Sequence, residues 1–226
     1  MKRETLLRIT RFLMYRLTDL NFVGLEHIPP QGGVIIATNH LSRLDIPTLF
    51  LNPVRPDITA LIADKYKAYF FISWYAKVAG GIYIDRSKAD FTAFREAAAA
   101  LKQGRALGIA PEGTRSNSGG LLPGKAGTAL LAIKAGVPIV PVGITGTEDS
   151  VKKLLRLQRP KITATFGPAF RLSDVPREGR EEFLQKCTDE IMCRIAILMP
   201  EKYHGAYKGH PRLNEMRTRG YGAVFP

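Results

Sequence analysis

Cysteine is almost missing from this 226-residue chain, which holds only Cys187 and Cys193. Six positions apart, they fit neither a Cys-x-x-Cys redox pair nor a zinc knuckle. Disulfide scaffolds and cysteine-built metal modules are therefore excluded, and both read as free, buried thiols of a reducing compartment. Long apolar runs are missing as well. A spanning helix needs about 20 apolar residues, and the longest charge-free aromatic stretch, Ala68 to Ala76, is far too short. Arg8, Arg11 and Arg16 interrupt the apolar residues of the N-terminus, so no signal peptide is expected. Acidic residues are scarce beside basic ones. Twenty Asp+Glu face 33 Lys+Arg, for a net charge of +13. Such a surface attracts nucleic acid, anionic membrane or acidic substrates. Aromatic residues do not interleave with the basic ones as an RNA reader requires, which argues against nucleic acid.

What the chain does have is alternation. Short, nearly continuous apolar runs at 34–38, 58–63, 82–85, 106–110, 137–143 and 162–166 predict strands covered on both faces. Helical patterns occupy 66–79, 89–103, 124–135, about 147–157 and 178–199, with Gly104 and Gly136 as left-handed stops. This pattern predicts a single α/β domain with a mostly parallel, mixed sheet flanked by helices. Pro138 and Pro141 would place strand 137–143 at an edge or a bulge. Residues 1–20 form an amphipathic segment ahead of a domain at 21–200, and 201–226 is read as a basic tail, irregular or packed on the domain. In the first segment, Leu6, Ile9, Leu13, Leu17 and Leu20 share one face, while Glu4, Arg8, Arg11 and Asp19 share the other. A membrane-surface anchor and a helix packed on the domain satisfy that periodicity equally well. The aromatic helix with Tyr66, Tyr69, Phe70, Phe71, Trp74 and Tyr75 reads first as a buried core helix, and second as the lining of an acyl groove or a contact with lipid.

The chemistry-bearing residues fall at strand ends. His40 and Asp45, five apart, follow strand 34–38 in Asn39-His40-Leu41-Ser42-Arg43-Leu44-Asp45. A histidine oriented by a carboxylate takes a proton from an alcohol or thiol. Alone, the pair reads more plainly as a helix start, with Asp45 as its cap and Pro47 in the first turn. Asp85-Arg86 follows the third run, and Pro111-Glu112-Gly113-Thr114-Arg115-Ser116 the fourth. His27, His204 and His210 lack a carboxylate at this spacing and read as surface residues.

At these positions the chain resembles the glycerolipid acyltransferase family, of which the bacterial 1-acylglycerol-3-phosphate acyltransferases are part. Four blocks carry the resemblance, in order. They are Asn39-His40-x4-Asp45, Gly81 through Arg86, Pro111 to Ser116, and Val137-Pro-Ile-Val-Pro-Val142, with Lys125-x-Gly127 between the last two. Ala110 departs from the aromatic residue usual before the third block, and the Gly119-Gly120 loop differs from the lysine-rich version of the nearest bacterial members.

The resemblance implies acyl transfer from a thioester, acyl-CoA or acyl-carrier protein, to the free hydroxyl of 1-acylglycerol 3-phosphate. It implies His40 as general base, Asp45 as its orienting partner, and Ser42 in a structural role. Arg86, Arg115 and Lys125 would bind the acceptor's phosphate, as fixed cations do. Glu112 would bond the glycerol hydroxyl or tie down the arginines, beside Gly113 and Thr114. No metal or bound cofactor is implied. The expected partners are a lysophospholipid, the thioester donor and an anionic membrane surface on the cytoplasmic side, met peripherally or monotopically. The docking elements would be Leu6, Ile9, Leu13, Leu17 and Leu20 with Arg3, Arg8, Arg11 and Arg16. The same chemistry on another lysolipid or on glycerol 3-phosphate, a thioesterase, and a nonenzymatic basic membrane-binding protein are the alternatives.

Overall fold

The computed structural model describes residues 1–86, 88 and 90–219. Residues 220–226 of the expected tail, and Ala89 of the expected helix, lie outside the described residues. In chain order the elements are α1 (Arg3–Leu17), β1 (Asp19–Val23), β2 (Val34–Thr38), α2 (Asp45–Phe50), β3 (Thr59–Ala63), α3 (Phe70–Ala79), β4 (Ile82–Ile84), α4 (Phe91–Lys102), β5 (Ala106–Ile109), α5 (Gly127–Ala135), β6 (Ile139–Thr145), α6 (Ser150–Leu155), β7 (Lys161–Phe166), α7 (Arg180–Ala196) and α8 (Pro211–Arg219).

One seven-stranded sheet runs in the order β1-β7-β6-β2-β5-β3-β4. Neighbours pair in parallel, except β6 with β7. The sheet is thus mostly parallel and mixed, as its apolar runs predict. Alternate residues of the central strands feed two cores. Ile35, Leu107 and Ile139 pack against α4, α5 and α7. Val34, Ile36, Val140 and Ile144 pack against α1, α2 and α3. Each such buried side chain contributes about 1.5–3 kcal/mol over leaving it in water. Five strands run the same way, so the segments after β2, β4, β5 and β6 emerge at one rim, where open α/β sheets gather ligands.

Several expectations are corrected. α1 stops at Leu17, and residues 19–23 pair with β7 as an edge strand, so the boundary placed between residues 20 and 21 falls inside β1. The apolar face of α1 is divided. Leu6 and Met14 are buried, whereas Ile9, Phe12, Leu13, Tyr15 and Leu17 are exposed. Arg3 turns inward, donating to the carbonyls of Pro56 and Ile58 beside the Phe50 ring. The aromatic segment 66–79 is no buried core helix. A 3₁₀ turn at Asp64–Ala68 precedes α3, and Tyr69, Phe70, Phe71 and Trp74 are exposed. Strand β6 is not at an edge, since it lies between β7 and β2. Its Pro141 is tolerated because the missing N–H faces the place where β7 breaks. There Gly167 N donates to Pro141 O at 2.8 Å, and Phe170 rejoins the ladder at Ile139.

Residues 201–219 are ordered and packed on the domain rather than irregular. Two 3₁₀ turns, Glu201–Tyr203 and Gly205–Tyr207, lead into α8. The helix is clasped to α7 through buried Glu190, which meets Arg194 at 2.6 Å and Arg212 at 2.5 Å. His204, read as a surface residue, is buried with Nε2 3.0 Å from Met199 O. Cys187 and Cys193 are buried and free. No helix among the described residues is long and apolar enough to cross a membrane.

Candidate active site

The chain leaves β2 at Thr38 and turns at once. Asn39, wholly buried, locks that turn to β6. Its Nδ2 donates to Ile144 O at 2.8 Å and its Oδ1 accepts from Ile144 N at 2.7 Å. His40 follows, with Nδ1 2.9 Å from Asp45 Oδ2. The same oxygen accepts from Leu41 N at 2.8 Å and Ser42 N at 2.7 Å, and Asp45 Oδ1 accepts from Thr147 Oγ1 at 2.6 Å. An ionised carboxylate can only accept hydrogen bonds. His40 Nδ1 must therefore carry a proton, which leaves Nε2 with a lone pair to act as a base. Asp45 is fully buried, while the His40 side chain is 13% exposed. Asp45 heads α2 but does not cap it, because its hydrogen bonds run back to Leu41 and Ser42. The helix-cap reading fails on that geometry. Ser42 Oγ accepts from Leu44 N at 3.3 Å and shapes the loop.

Glu112, after β5, reaches the same loop from below. Its Oε1 accepts from His40 N at 2.8 Å, and Oε2 accepts from Leu122 N at 2.8 Å. Burial pushes its carboxyl up to about 7, against the two N–H donors and the nearby His40, which pull it down. Glu112 is only 1% exposed, so it braces the histidine loop and the 121–124 segment rather than offering a surface to a ligand. Ser116 N donates to His40 O at 2.8 Å, which closes a second strut. At Gly113 the backbone has φ 68° and Lys125 lies across it, so that a Cβ would come within 3.0 Å of Lys125 Cδ. Thr114 is exposed.

The cations divide between two cavities. Arg86 and Lys125 line one of about 310 Å³ with Gly113, Lys88 and Thr128. Asp90 fixes its wall, capping α4 through Ala93 N and accepting from Asp85 N at 3.0 Å. Arg115 lines another cavity with Ser42, Arg43, Ser116 and Lys152. The structure therefore groups Arg86 with Lys125 and sets Arg115 apart. Beside His40 runs an apolar groove of about 310 Å³, lined by Ile46, Pro47, Ile62, Tyr66, Phe71 and Tyr75. Among the described residues no cluster of three or more His, Cys, Asp or Glu is arranged to hold a metal.

This rim matches a known family. The family model described as "Acyltransferase" matches residues 19–145, more than half of the chain. The chain belongs to the acyltransferase family. The 1-acyl-sn-glycerol-3-phosphate acyltransferase of Haemophilus influenzae is 30% identical over 197 residues, covering 82% of this chain and 80% of that protein. The enzyme of the same name from Saccharomyces cerevisiae is 35% identical over 186 residues, covering 77% of this chain and 59% of that one. The crystal structure of the 1-acyl-sn-glycerophosphate (LPA) acyltransferase PlsC from Thermotoga maritima superposes with a TM-score of 0.64 at 26% identity, covering 84% of this chain and 76% of that one. The chain spans about half the length of other relatives it matches, with 51% for the Borreliella burgdorferi protein and 46% for a mouse homologue.

The acyltransferase-family region stops just short of Thr147, whose hydroxyl donates to Asp45. Sequence reasoning missed it, because the two residues lie 102 positions apart and no local spacing relates them. Gly146 delivers it. With φ 82°, its turn brings the chain against the Lys161 carbonyl, where a Cβ would collide. Arg43 borders both the apolar groove and the Arg115 cavity.

Proposed function

We propose that this chain transfers a fatty acyl group from acyl-CoA or acyl-carrier protein to the free hydroxyl of 1-acylglycerol 3-phosphate, giving phosphatidic acid. The observation that carries this reading is the His40–Asp45 pair at 2.9 Å, with Asp45 saturated by donors and the imidazole bordering an apolar groove. His40 Nε2 takes the acceptor's hydroxyl proton as its oxygen attacks the thioester carbonyl. Asp45 stabilises the imidazolium that forms. The tetrahedral intermediate then expels the thiolate, which takes the proton back from His40. The step needs neither a metal nor a cofactor. The groove of Ile46, Ile62, Phe71 and Tyr75 suits an acyl chain, and Arg86 with Lys125 suits the acceptor's phosphate. Arg115, in the cavity with Arg43, suits a second anionic group.

The same proposal places the protein peripherally on the cytoplasmic face of a membrane. Exposed Ile9, Phe12, Leu13 and Leu17 on α1, with Phe70, Phe71 and Trp74 on α3, support it. Such a face enters the headgroup boundary while Arg8, Arg11 and Arg16 meet lipid phosphates. The test is purified protein with acyl-CoA and a panel of lysolipids. Acceptor-dependent CoA release with a diacyl product on 1-acylglycerol 3-phosphate is expected. Release independent of any acceptor would make the chain a thioesterase, and a stronger product on another lysolipid would reassign the acceptor.

A further inference from the structure

Leu157 occupies a place where leucine is out of keeping. Among the described residues it is the only non-glycine with positive φ, at 57°. The hydrogen bonds around it, Leu157 N to Leu154 O at 3.0 Å and Gln158 N to Lys153 O at 2.9 Å, close the C-terminus of α6 in the manner of a Schellman motif. The position it fills there belongs ordinarily to glycine or asparagine, because a Cβ is disfavoured in that conformation. Leu157 is also 96% exposed, and Leu155 and Val151 on the same short segment are 82% and 61% exposed. A strained backbone that holds an apolar side chain in water points to a use for that side chain.

The charges around these residues indicate what they meet. Lys152, Lys153 and Arg156 alternate with them and are exposed. Lys152 reaches Asp149 at 3.4 Å, and no acidic residue lies between Asp149 and the start of β7. The segment also continues the face already described. Arg159 Nη2 donates to Tyr15 O at 2.9 Å and to Thr18 O at 2.8 Å, which fixes the segment to the end of α1 where Tyr15 and Leu17 are exposed. At its other end, Val151 borders the cavity of Ser42, Arg43 and Arg115.

We propose that residues 151–157 are a second membrane contact, a prong that seats Leu155 and Leu157 in the headgroup boundary of an anionic bilayer while Lys152, Lys153 and Arg156 meet lipid phosphates. Apolar insertion flanked by cations is the chemistry of interfacial anchors. The prong and α1 hold the chain at two places, and the prong borders the Arg43–Arg115 cavity. This rests on the reading of the chain as a lipid acyltransferase, and its test is kept separate from that reading.

Full-length wild type, Leu155→Gln/Leu157→Asn and Lys152→Gln/Lys153→Gln/Arg156→Gln are compared by co-sedimentation with vesicles of phosphatidylglycerol and phosphatidylcholine. The leucine variant is expected to bind at least about tenfold more weakly at every salt concentration. The cation variant is expected to bind less at low salt and to lose most of its salt dependence. The melting temperature of the leucine variant is expected to hold or rise, since asparagine suits the left-handed position. For the leucine variant, turnover on a short-chain acceptor dissolved as monomers stays at the wild-type level, while turnover on vesicle-embedded acceptor falls. Vesicle binding equal to wild type in the leucine variant overturns the proposal. So does normal vesicle binding with a loss of turnover confined to acyl-carrier protein as donor, which would make the prong a dock for an acidic protein. The vesicle arm needs no turnover, so it decides the question even for a chain without acyltransferase activity.

Discussion

Asp45 should separate stability from catalysis, because two substitutions at this one site act on different terms. Its carboxylate accepts from Leu41 N, Ser42 N, His40 Nδ1 and Thr147 Oγ1, all within 2.9 Å, and it is fully buried. Asp45→Asn keeps an oxygen where three N–H groups converge. Its new amide faces Thr147, whose hydroxyl turns from donor to acceptor. Every partner stays satisfied, so the change in stability should be within about 1 kcal/mol. What disappears is the negative charge that stabilises the imidazolium, and kcat should fall about 10²–10⁴-fold with little change in either KM. Asp45→Ala instead strands two backbone donors, Leu41 N buried and Ser42 N part-buried. Each costs about 1–3 kcal/mol, about 2–6 kcal/mol together, a large part of a domain's about 5–15 kcal/mol. Steady-state turnover and denaturant unfolding of both variants make the test. Asn protein that is folded and nearly as active as wild type, or Ala protein as stable as Asn protein, would refute the reasoning.

Other expectations follow from the same rim. Thr147→Val should lower kcat about tenfold by removing a charge-assisted hydrogen bond from Asp45, and Thr147→Ser should restore it; equal rates in all three proteins would show that the hydroxyl is idle. The raised Glu112 carboxyl favours its protonated form in the fold, so its contribution to stability is present below the unfolded value and lost as pH rises toward about 7. Relative to Glu112→Gln, wild type should therefore lose stability across that window in urea titrations, and parallel curves would contradict it. Arg86→Ala and Lys125→Ala should each raise the acceptor's KM about tenfold and couple in a double-mutant cycle, whereas Arg115→Ala, in its separate cavity, should combine additively with Arg86→Ala. Leu13→Glu should weaken vesicle binding at all ionic strengths if α1 docks on lipid, and binding at wild-type strength would leave the helix a packing element.

The sheet was legible because its interior strands are apolar on both faces, and a short continuous run such as Val34-Ile35-Ile36-Ala37 suits a strand covered on both sides. β1 was not. Asp19-Leu20-Asn21-Phe22-Val23 alternates like an edge strand, yet Leu20 also fits the helical stripe of α1, and the helical reading absorbed it. The same stripe hid a split that only packing decides. Leu6 and Met14 face the domain, and Leu13 and Leu17 face outward. α3 misled for a related reason, because a helix apolar all round reads as buried whether its outer side meets protein or something else. Of the site, the five-residue spacing of His40 and Asp45 made their contact readable, since local chain geometry brings them together, while its catalytic reading came from the resemblance carried by all four blocks. Glu112 under His40 N and Thr147 on Asp45 were not, since both contacts join separate strands across the sheet. Arg55 gave no signal either. It is buried, paired with Asp57 at 2.7 Å, and bonded to the carbonyls of Pro29, Gly32 and Gly104, a structural staple amid 33 basic residues.

The central claim is that His40 takes the proton of an acceptor hydroxyl. Its most direct test is the single-turnover rate of phosphatidic acid formation from acyl-CoA and 1-acylglycerol 3-phosphate, followed by mass spectrometry for wild type and His40→Ala at equal folded concentration. The account predicts product in wild type and a rate at least about 10²-fold lower in the variant. Product formed at comparable rates by both proteins would contradict it.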